Sequence, residues 1–244
     1  MPIKTLVAVN TLTEVAQEVY ASHCCFWSTT RSQFPDPDKF FFYCPRRTSI
    51  DTMRNASAKL AMELEADYLM FIDDDVMVKP ETFRSLLSCN LDIVAAHTYI
   101  RGYPFHPMSF KYRVRNWSQY TMTYFDEIME ETKDGVALCD AVGFSCVLIK
   151  MDLIKRMTTP YFLTMAGAHT EDIYFCVKAR KELGGDISIG VDTRVPTSHL
   201  FNRIFVGEDN VKFLRDLSEK ENPAIVAATL KAEDPEKRAD YPID

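Results

Sequence analysis

Three consecutive carboxylates, Asp73, Asp74 and Asp75, form the strongest chemical signal in the sequence. Adjacent carboxylates repel one another, and a hard divalent cation offsets that repulsion. Mg²⁺ or Mn²⁺ held by one or two carboxylates usually completes its coordination shell with substrate phosphates. The run therefore predicts a metal site for a phosphate-bearing ligand, whereas the alternative is a solvated acidic turn.

Two more carboxylates and a histidine occur later in the chain at positions suited to chemistry. Glu171 and Asp172 begin a predicted amphipathic helix over residues 171–183. They also have a structural explanation, because acidic residues in the first turn complement the helix dipole and Thr170 is a suitable N-cap. His199 follows later in the chain, and taken by itself it is predicted to be a satisfied core or loop histidine.

Alternating strands and helices are predicted to position these residues in the first 95 positions. An apolar strand over residues 68–72, of the kind buried on both faces in a parallel sheet, ends directly before Asp73. Open α/β sheets bind ligands outside the carboxyl ends of their strands, so the acidic run lies where a ligand is expected. The other strands are predicted at residues 3–9, 39–43 and 92–96, and helices at 14–27, 50–65 and 80–88.

The order of elements becomes mixed after about residue 99. Strands are predicted at 110–114, 120–125, 142–149 and 187–191, and helices at 152–157 and 171–183, the second ended by Gly184 and Gly185. No Gly- or Ser-rich linker separates two domains. The sequence predicts a single α/β domain over residues 1–206, with a wound, Rossmann-like half (1–98) and a mixed α+β half (99–206). A charged, helical tail follows at 207–244.

Composition excludes several classes of protein. The chain has 244 residues, of which 47% are hydrophobic, and its net charge is −7, which excludes disorder and argues against nucleic-acid binding through bulk positive potential. No apolar run approaches the ~18 residues of a membrane span, and the N-terminal apolar stretch is too short for a secretory signal, which predicts a cytoplasmic protein. Most of the seven cysteines, Cys44 among them, lie in apolar segments and are predicted to be reduced core residues.

The motifs together resemble those of family 2-like glycosyltransferases with the GT-A fold. Residues 69–76 are similar to the family's DxD segment, and the resemblance continues, in the family's order, at 54–55, 143–144, 160–162, 170–176 and 195–199. It departs at Thr170, where relatives often carry Gly, and at Tyr161, where they often carry Trp, which weakens any inference about the acceptor. The resemblance implies transfer of a sugar from a nucleotide-diphosphate sugar, UDP-sugar in particular, to an acceptor hydroxyl.

The resemblance also implies a role for each acidic residue of the DxD segment. Asp75 would hold the divalent cation, Mn²⁺ or Mg²⁺, with His199 as a second protein ligand. Asp73 would reach the ribose or the sugar of the donor and share the metal. Asp74 would take part in either role.

Catalytic and donor-binding roles follow in the same way. Asp172 would take the proton from the acceptor hydroxyl in a reaction with inversion, and Glu171 is the next candidate base. Arg54 would contact the nucleotide or diphosphate, while Asn10 and Thr11, at the end of the first strand, would contact the base. Ordinary surface or capping roles are the alternatives for these three.

The acceptor and two competing functions stay open at this point. Segment 101–117 mixes basic and aromatic residues, which fits either a strand with one solvated face or a site for an anionic acceptor. The acceptors considered are a glycan, a small molecule and a modified, hydroxymethylated DNA base. The competing functions are a nucleotidyltransferase and a non-catalytic nucleotide-binding domain. A nucleotidyltransferase would normally have a Gly-rich phosphate loop with Lys or Arg after the first strand. This function is disfavoured because Asn10 and Thr11 occur there instead, with no Gly before position 102.

Overall fold

The apolar strand predicted at residues 68–72 lies in the interior of a seven-stranded mixed sheet. The computed structural model describes residues 3–11, 14–36, 39–116, 119–125, 128, 132–165, 170–184, 187–201, 204–221 and 223. The strands are β1 (Thr5–Asn10), β2 (Phe40–Tyr43), β3 (Tyr68–Asp73), β4 (Val76–Met77), β5 (Ile93–Ala96), β6 (Ser109–Asn116), β7 (Gln119–Tyr124), β8 (Val136–Leu138), β9 (Ala141–Val142), β10 (Cys146–Lys150), β11 (Ile189–Asp192), β12 (Ser198–Phe201) and β13 (Ile204–Val206).

The order of strands in the main sheet is β2-β1-β3-β10-β5-β11-β8. Strands β2, β1 and β3 run parallel, as do β5 and β11, whereas β10 runs antiparallel between β3 and β5. The predicted α/β, Rossmann-like class is confirmed. Since β10 comes from the second half of the chain and pairs with two strands of the first, both halves build the same sheet.

Helices cover both faces of the sheet. They are α1 (Gln17–Gln33), α2 (Ile50–Glu63), α3 (Thr82–Ser88), α4 (Met151–Lys155), α5 (Glu171–Leu183) and α6 (Val211–Glu221). Alternate residues of β3 point to opposite sides, as the two-residue period of a strand requires. Leu69 and Phe71 join the core cluster that contains residues of α2, α4 and α5, while Met70 and Ile72 join the cluster with residues of α1 and α3.

Two predicted elements differ from the structure, and the first of them adjoins the site. The strand predicted at 142–149 is two strands, β9 and β10, separated by Gly143, Phe144 and Ser145. A Cβ at position 143 would collide with the Met108 side chain, so glycine permits the close approach at which its N–H donates to the Met108 carbonyl (2.8 Å). Helix α1 begins at Gln17 rather than at residue 14 and continues to Gln33.

The C-terminal segment contains a helix, α6, within the charged, helical tail predicted at residues 207–244. Strand β12 pairs antiparallel with β4 and with β13, and α6 follows. Gly184 caps α5 with a φ of 92°, as predicted, whereas Gly185 lies outside the described residues. All seven cysteines are free, but Cys44 is exposed, so its predicted core position is wrong. No helix in the described part of the chain is long and apolar enough to cross a membrane.

Candidate functional site

The site is built at the edge of the sheet where β1 and β3 end. These strands are parallel and in register, so Asn10 is the direct neighbour of Asp73. Strand β10 is antiparallel and therefore begins at this edge, and the Asp73 N–H donates to the carbonyl of Ser145, just before it (2.9 Å). Three chain segments distant in sequence thus meet beside the first carboxylate of the acidic run.

A buried arginine joins two of these segments to the start of α5. Arg54, only 2% exposed, donates from Nε to Glu171 Oε1 (2.9 Å), from Nη2 to Asp73 Oδ1 (3.3 Å) and from Nη1 to the Phe144 carbonyl (3.2 Å). Its guanidinium carbon also lies 4.8 Å from the centre of the Phe71 ring. Each terminal nitrogen and Nε therefore has a partner within the protein. We call Arg54, Asp73 and Glu171 the Arg54 cluster.

Asp172 is held by hydrogen-bond donors at the beginning of α5. Its Oδ1 accepts from the Ile173 N–H (2.8 Å) and from the Thr170 hydroxyl, and its Oδ2 accepts from the Phe144 N–H at 3.4 Å. Thr170 stands at the predicted N-cap position, but its hydroxyl bonds to the Asp172 carboxylate instead of to a helix amide. Asp172 is 8% exposed, so the orientation of its carboxylate is fixed by these contacts.

Asp75 and His199 are brought together by strand pairing. Strand β12 pairs with β4 so that His199 lies opposite Val76, next to Asp75, and His199 Nε2 is 3.3 Å from Asp75 Oδ1. His199 Nδ1 lies 2.9 Å from the carbonyl oxygen of Tyr99, which can only accept a hydrogen bond. In the imidazolium form Nε2 donates its N–H to the Asp75 carboxylate, whereas in the neutral form the proton is on Nδ1 and the Nε2 lone pair is available to a cation.

The Asp75–His199 pair fits two ligands of one divalent cation. Two ligand atoms that are each about 2.1 Å from an ion, at right angles, are about 3 Å apart, close to the observed spacing. A histidine that donates its other ring N–H to a backbone carbonyl is typical of metal ligands. Within the described ranges, no group of three or more His, Cys, Asp or Glu side chains is arranged to hold a metal ion. Asp75 and His199 would therefore leave the remaining coordination positions to water and substrate.

Burial and neighbouring charges shift the pKa values of the acidic residues in different directions. Burial raises the pKa of Asp73 to about 6 despite Arg54, and burial together with the charge of Asp172 raises the pKa of Glu171. Burial alone would raise the pKa of Asp75 as well, but the hydrogen bond and charge of His199 and the charge of Arg101 hold it below its usual range. Asp75 thus stays ionised, as a metal ligand must.

The remaining predicted residues, Asp74, Asn10 and Thr11, lie at the same edge of the sheet. Asp74 is 6% exposed. Burial lowers the pKa of His23, and the Val76 carbonyl and the charge of Asp74 offset this only in part. Thr11 Oγ1 lies 3.5 Å from the Cys44 sulfur. The Asn10 carboxamide is buried, with no hydrogen-bond partner for either polar atom in the described part of the chain. Such a group has unused donor and acceptor capacity for a ligand.

Sequence reasoning missed one residue beside the Asp75–His199 pair and the backbone groups around Asp172. Arg101 Nη1 lies 2.5 Å from Asp75 Oδ2, a contact that depends on the path of the loop after β5 and has no local sequence signal. The Phe144 N–H and carbonyl were hidden by the prediction of a continuous strand across residues 142–149. In the basic segment, Lys111 lies over the Phe125 ring at 3.7 Å, while Trp117 lies outside the described residues.

Comparison with known proteins shows the fold. No protein-family model matches the sequence, and no curated protein sequence matches it. The chain is similar to the crystal structure of A197 from STIV, with a TM-score of 0.55 and 15% identity over 85% of this chain and 91% of that chain. It is also similar to GalNAc-T7, solved with UDP, GalNAc and Mn²⁺, with a TM-score of 0.54 and 10% identity over 95% of this chain and 51% of that chain.

A weaker likeness, with a TM-score of 0.41 and 7% identity, relates the chain to the inositol-1-phosphate CTP transferase from T. maritima over 90% of this chain and 98% of that chain. The two structures with TM-scores of 0.55 and 0.54 are only 15% and 10% identical to this chain, so these two similarities describe architecture and not activity. The chain spans about half the length of the GalNAc-T7 chain that it matches. The protein has a GT-A-like fold.

Proposed function

We propose that the protein is a metal-dependent glycosyltransferase that moves a sugar from a nucleotide-diphosphate sugar, with UDP-sugar as the first candidate, to an acceptor hydroxyl. The observation that carries the proposal is the Asp75–His199 pair, in which His199 Nε2 and Asp75 Oδ1, two atoms that can both ligate a metal, are 3.3 Å apart. Such an arrangement is stabilised by a cation between the two groups. It lies next to the ends of β1 and β3, where folds of this type bind nucleotides.

The described residues support a reaction with inversion. The acceptor oxygen forms a bond to the anomeric carbon, and the bond from that carbon to the diphosphate oxygen breaks. The Asp172 carboxylate receives the hydroxyl proton, and the nucleoside diphosphate departs. A divalent cation held by Asp75 and His199 would offset the negative charge on the departing diphosphate. Thr170, Ile173 and Phe144 hold the Asp172 carboxylate in place.

The proposed donor contacts divide between the base and the diphosphate side. Asn10 offers a buried donor and a buried acceptor at the end of β1, which suits a nucleobase edge. Thr11 follows it, and Asp73 and Asp74 lie at the end of β3. Arg54 supports this edge by holding Asp73, since its nitrogens are already bound within the protein.

A thermal-shift and turnover experiment tests the proposal. The panel contains UDP-, GDP-, CDP- and dTDP-sugars, each with and without MnCl₂, because a ligand that binds the native state raises the melting midpoint. We expect a shift that requires Mn²⁺ with one base, followed by release of the nucleoside diphosphate when acceptors are added. Acceptors to test are glycans, small alcohols and DNA with hydroxymethylated bases.

The same panel separates the competing functions. A nucleotidyltransferase would instead join a nucleoside triphosphate to a sugar phosphate and release pyrophosphate. A non-catalytic domain would bind donor and metal without releasing any product. Absence of a Mn²⁺-dependent shift with every nucleotide sugar would refute the proposed function.

A further inference from the structure

A second cationic group contacts the same carboxylate as His199. Arg101 lies in the loop between β5 and β6, and its Nη1 is 2.5 Å from Asp75 Oδ2, whereas His199 faces Asp75 Oδ1. The Arg101 side chain is 57% exposed, and among the described residues it makes no other hydrogen bond. A guanidinium has five N–H donors in a planar fork, so most of them stay available to a ligand.

An anionic ligand at this site requires a positively charged hydrogen-bond donor. A nucleoside diphosphate is an anion, and it must approach the carboxylates of the acidic run. Arg54 is buried and is already paired with Asp73 and Glu171. Among the described residues, Arg101 is an exposed arginine that contacts this run. The two oxygens of Asp75 thus direct a metal position and a guanidinium to adjacent places.

We propose that Arg101 is a diphosphate-binding residue of the donor site, and that α6 holds it in position. This inference rests on the proposed function and deepens it. With a cation on one oxygen of Asp75 and the guanidinium on the other, a ligand with two linked phosphates contacts both groups at once. A ligand with a single phosphate does not span them, so Arg101 favours diphosphates over monophosphates.

Helix α6 fixes the loop that carries Arg101. Arg215 donates from Nε to the Pro104 carbonyl (2.6 Å) and from Nη2 to the Phe105 carbonyl (2.8 Å). Phe105 and Tyr99 pack with Val206, Val211 and Leu214 in one buried cluster. Phe105 has a φ of 58°, a left-handed conformation that a bulky residue keeps only where its surroundings impose it. Arg215 is therefore a positioning residue, which acts on the donor through the loop.

Binding measurements on point variants test this proposal. Calorimetry with MnCl₂ compares UDP with UMP, and the GDP, CDP and dTDP pairs in parallel, for wild type, Arg101→Ala and Arg101→Lys. We expect Arg101→Ala to weaken binding of the diphosphate about tenfold or more and binding of the monophosphate far less, because a charge-assisted hydrogen bond is lost. Arg101→Lys keeps the charge without the fork and should recover part of the loss. Arg84→Ala, which removes an exposed arginine from α3, is the matched control.

The role of α6 is tested by coupling. Arg215→Ala should lower the preference for diphosphate in the same way, and the double variant Arg101→Ala/Arg215→Ala should be no worse than Arg101→Ala alone. Additive losses would show that Arg215 does not act through Arg101.

The outcomes distinguish this inference from the proposed function. If wild type binds a diphosphate with Mn²⁺ and Arg101→Ala binds it equally well, this inference is overturned while the proposed function stands. If wild type binds no nucleoside diphosphate, the proposed function fails and this inference fails with it. Equal losses for diphosphate and monophosphate would also overturn it, since they would indicate a general effect on the site.

Discussion

Replacement of Asp172 by asparagine separates its structural contribution from its proposed role as the general base. Asparagine keeps an oxygen for the Ile173 N–H, at 2.8 Å, and for the Thr170 hydroxyl. Its amide nitrogen then faces the Phe144 N–H, which is 3.4 Å from Oδ2 in the native protein, so one weak hydrogen bond is replaced by two opposed donors. The loss of first-turn charge costs about 0.3 to 1 kcal/mol. With the mismatched donors, we expect a total loss of about 1 to 3 kcal/mol of stability.

The expected effect on turnover is larger. Removal of a general base typically slows a reaction by about 10²- to 10⁴-fold. Because each tenfold change corresponds to about 1.36 kcal/mol, the activation barrier should rise by about 3 to 5.5 kcal/mol. Donor and metal binding should change little, since Asp75 and His199 are not altered.

The assay measures initial rates with the identified donor and acceptor, beside urea denaturation curves for the same preparations. Asp152→Asn is a matched control, because Asp152 also lies in the first turn of a helix, α4, with a side chain that is 92% exposed. Near wild-type turnover in Asp172→Asn would refute the assignment and point to Glu171 as the base. A variant that does not fold would show that Asp172 is structural.

Three further predictions concern the Asp75–His199 pair, the buried Arg54 and stability in acid. Asp75→Ala should abolish Mn²⁺-dependent donor binding in calorimetry, and His199→Ala should weaken it by about 1.5 to 3 kcal/mol; unchanged metal dependence would contradict both. Arg54→Met should lower the free energy of unfolding by about 3 to 5 kcal/mol in urea titrations, because two carboxylates lose their buried counter-charge, and a loss below about 1 kcal/mol would contradict this. Burial alone would raise the pKa of Asp192, but its bonds from Arg194 outweigh this and lower it. The ionised Asp192 therefore adds to the free energy of unfolding above the unfolded pKa of about 4, and this contribution is lost as pH falls through the lower folded pKa. The difference in free energy of unfolding between wild type and Asp192→Asn should therefore narrow from pH 7 to pH 2. A difference that stays constant with pH would show that the Asp192–Arg194 ion pair does not contribute to acid stability.

Local features of the sequence predicted the elements that hold the carboxylates. The apolar run before Asp73 is β3, and the acidic pair Glu171 and Asp172 begins α5, which Gly184 ends. These signals are local because a strand or helix depends on the period of its own side chains. The same reasoning placed the acidic run at the carboxyl end of a buried strand.

Long-range pairing could not be predicted in this way. The sequence indicated a strand at residues 142–149 but not its antiparallel insertion between β3 and β5, which brings Phe144 to Arg54 and Asp172. Nor did it indicate that the segment after Gly207, predicted as a charged tail, packs α6 against the loop of Arg101. Such contacts depend on which apolar surfaces meet across the fold, and hydrophobic periodicity does not specify partners.

The pairing of charges explains how so many carboxylates coexist at one edge of the sheet. Asp73 and Glu171 share Arg54, and Asp75 contacts His199 and Arg101. Arg54 and Glu171 are buried and the Asp73 side chain is 24% exposed, whereas the Arg101 side chain is 57% exposed and has N–H donors left for a ligand. Only one residue, Asp74, separates Asp73, the last residue of β3, from Asp75 in the turn that follows. The arrangement therefore joins the start of α5, where the proposed base lies, to the proposed donor site through one buried guanidinium.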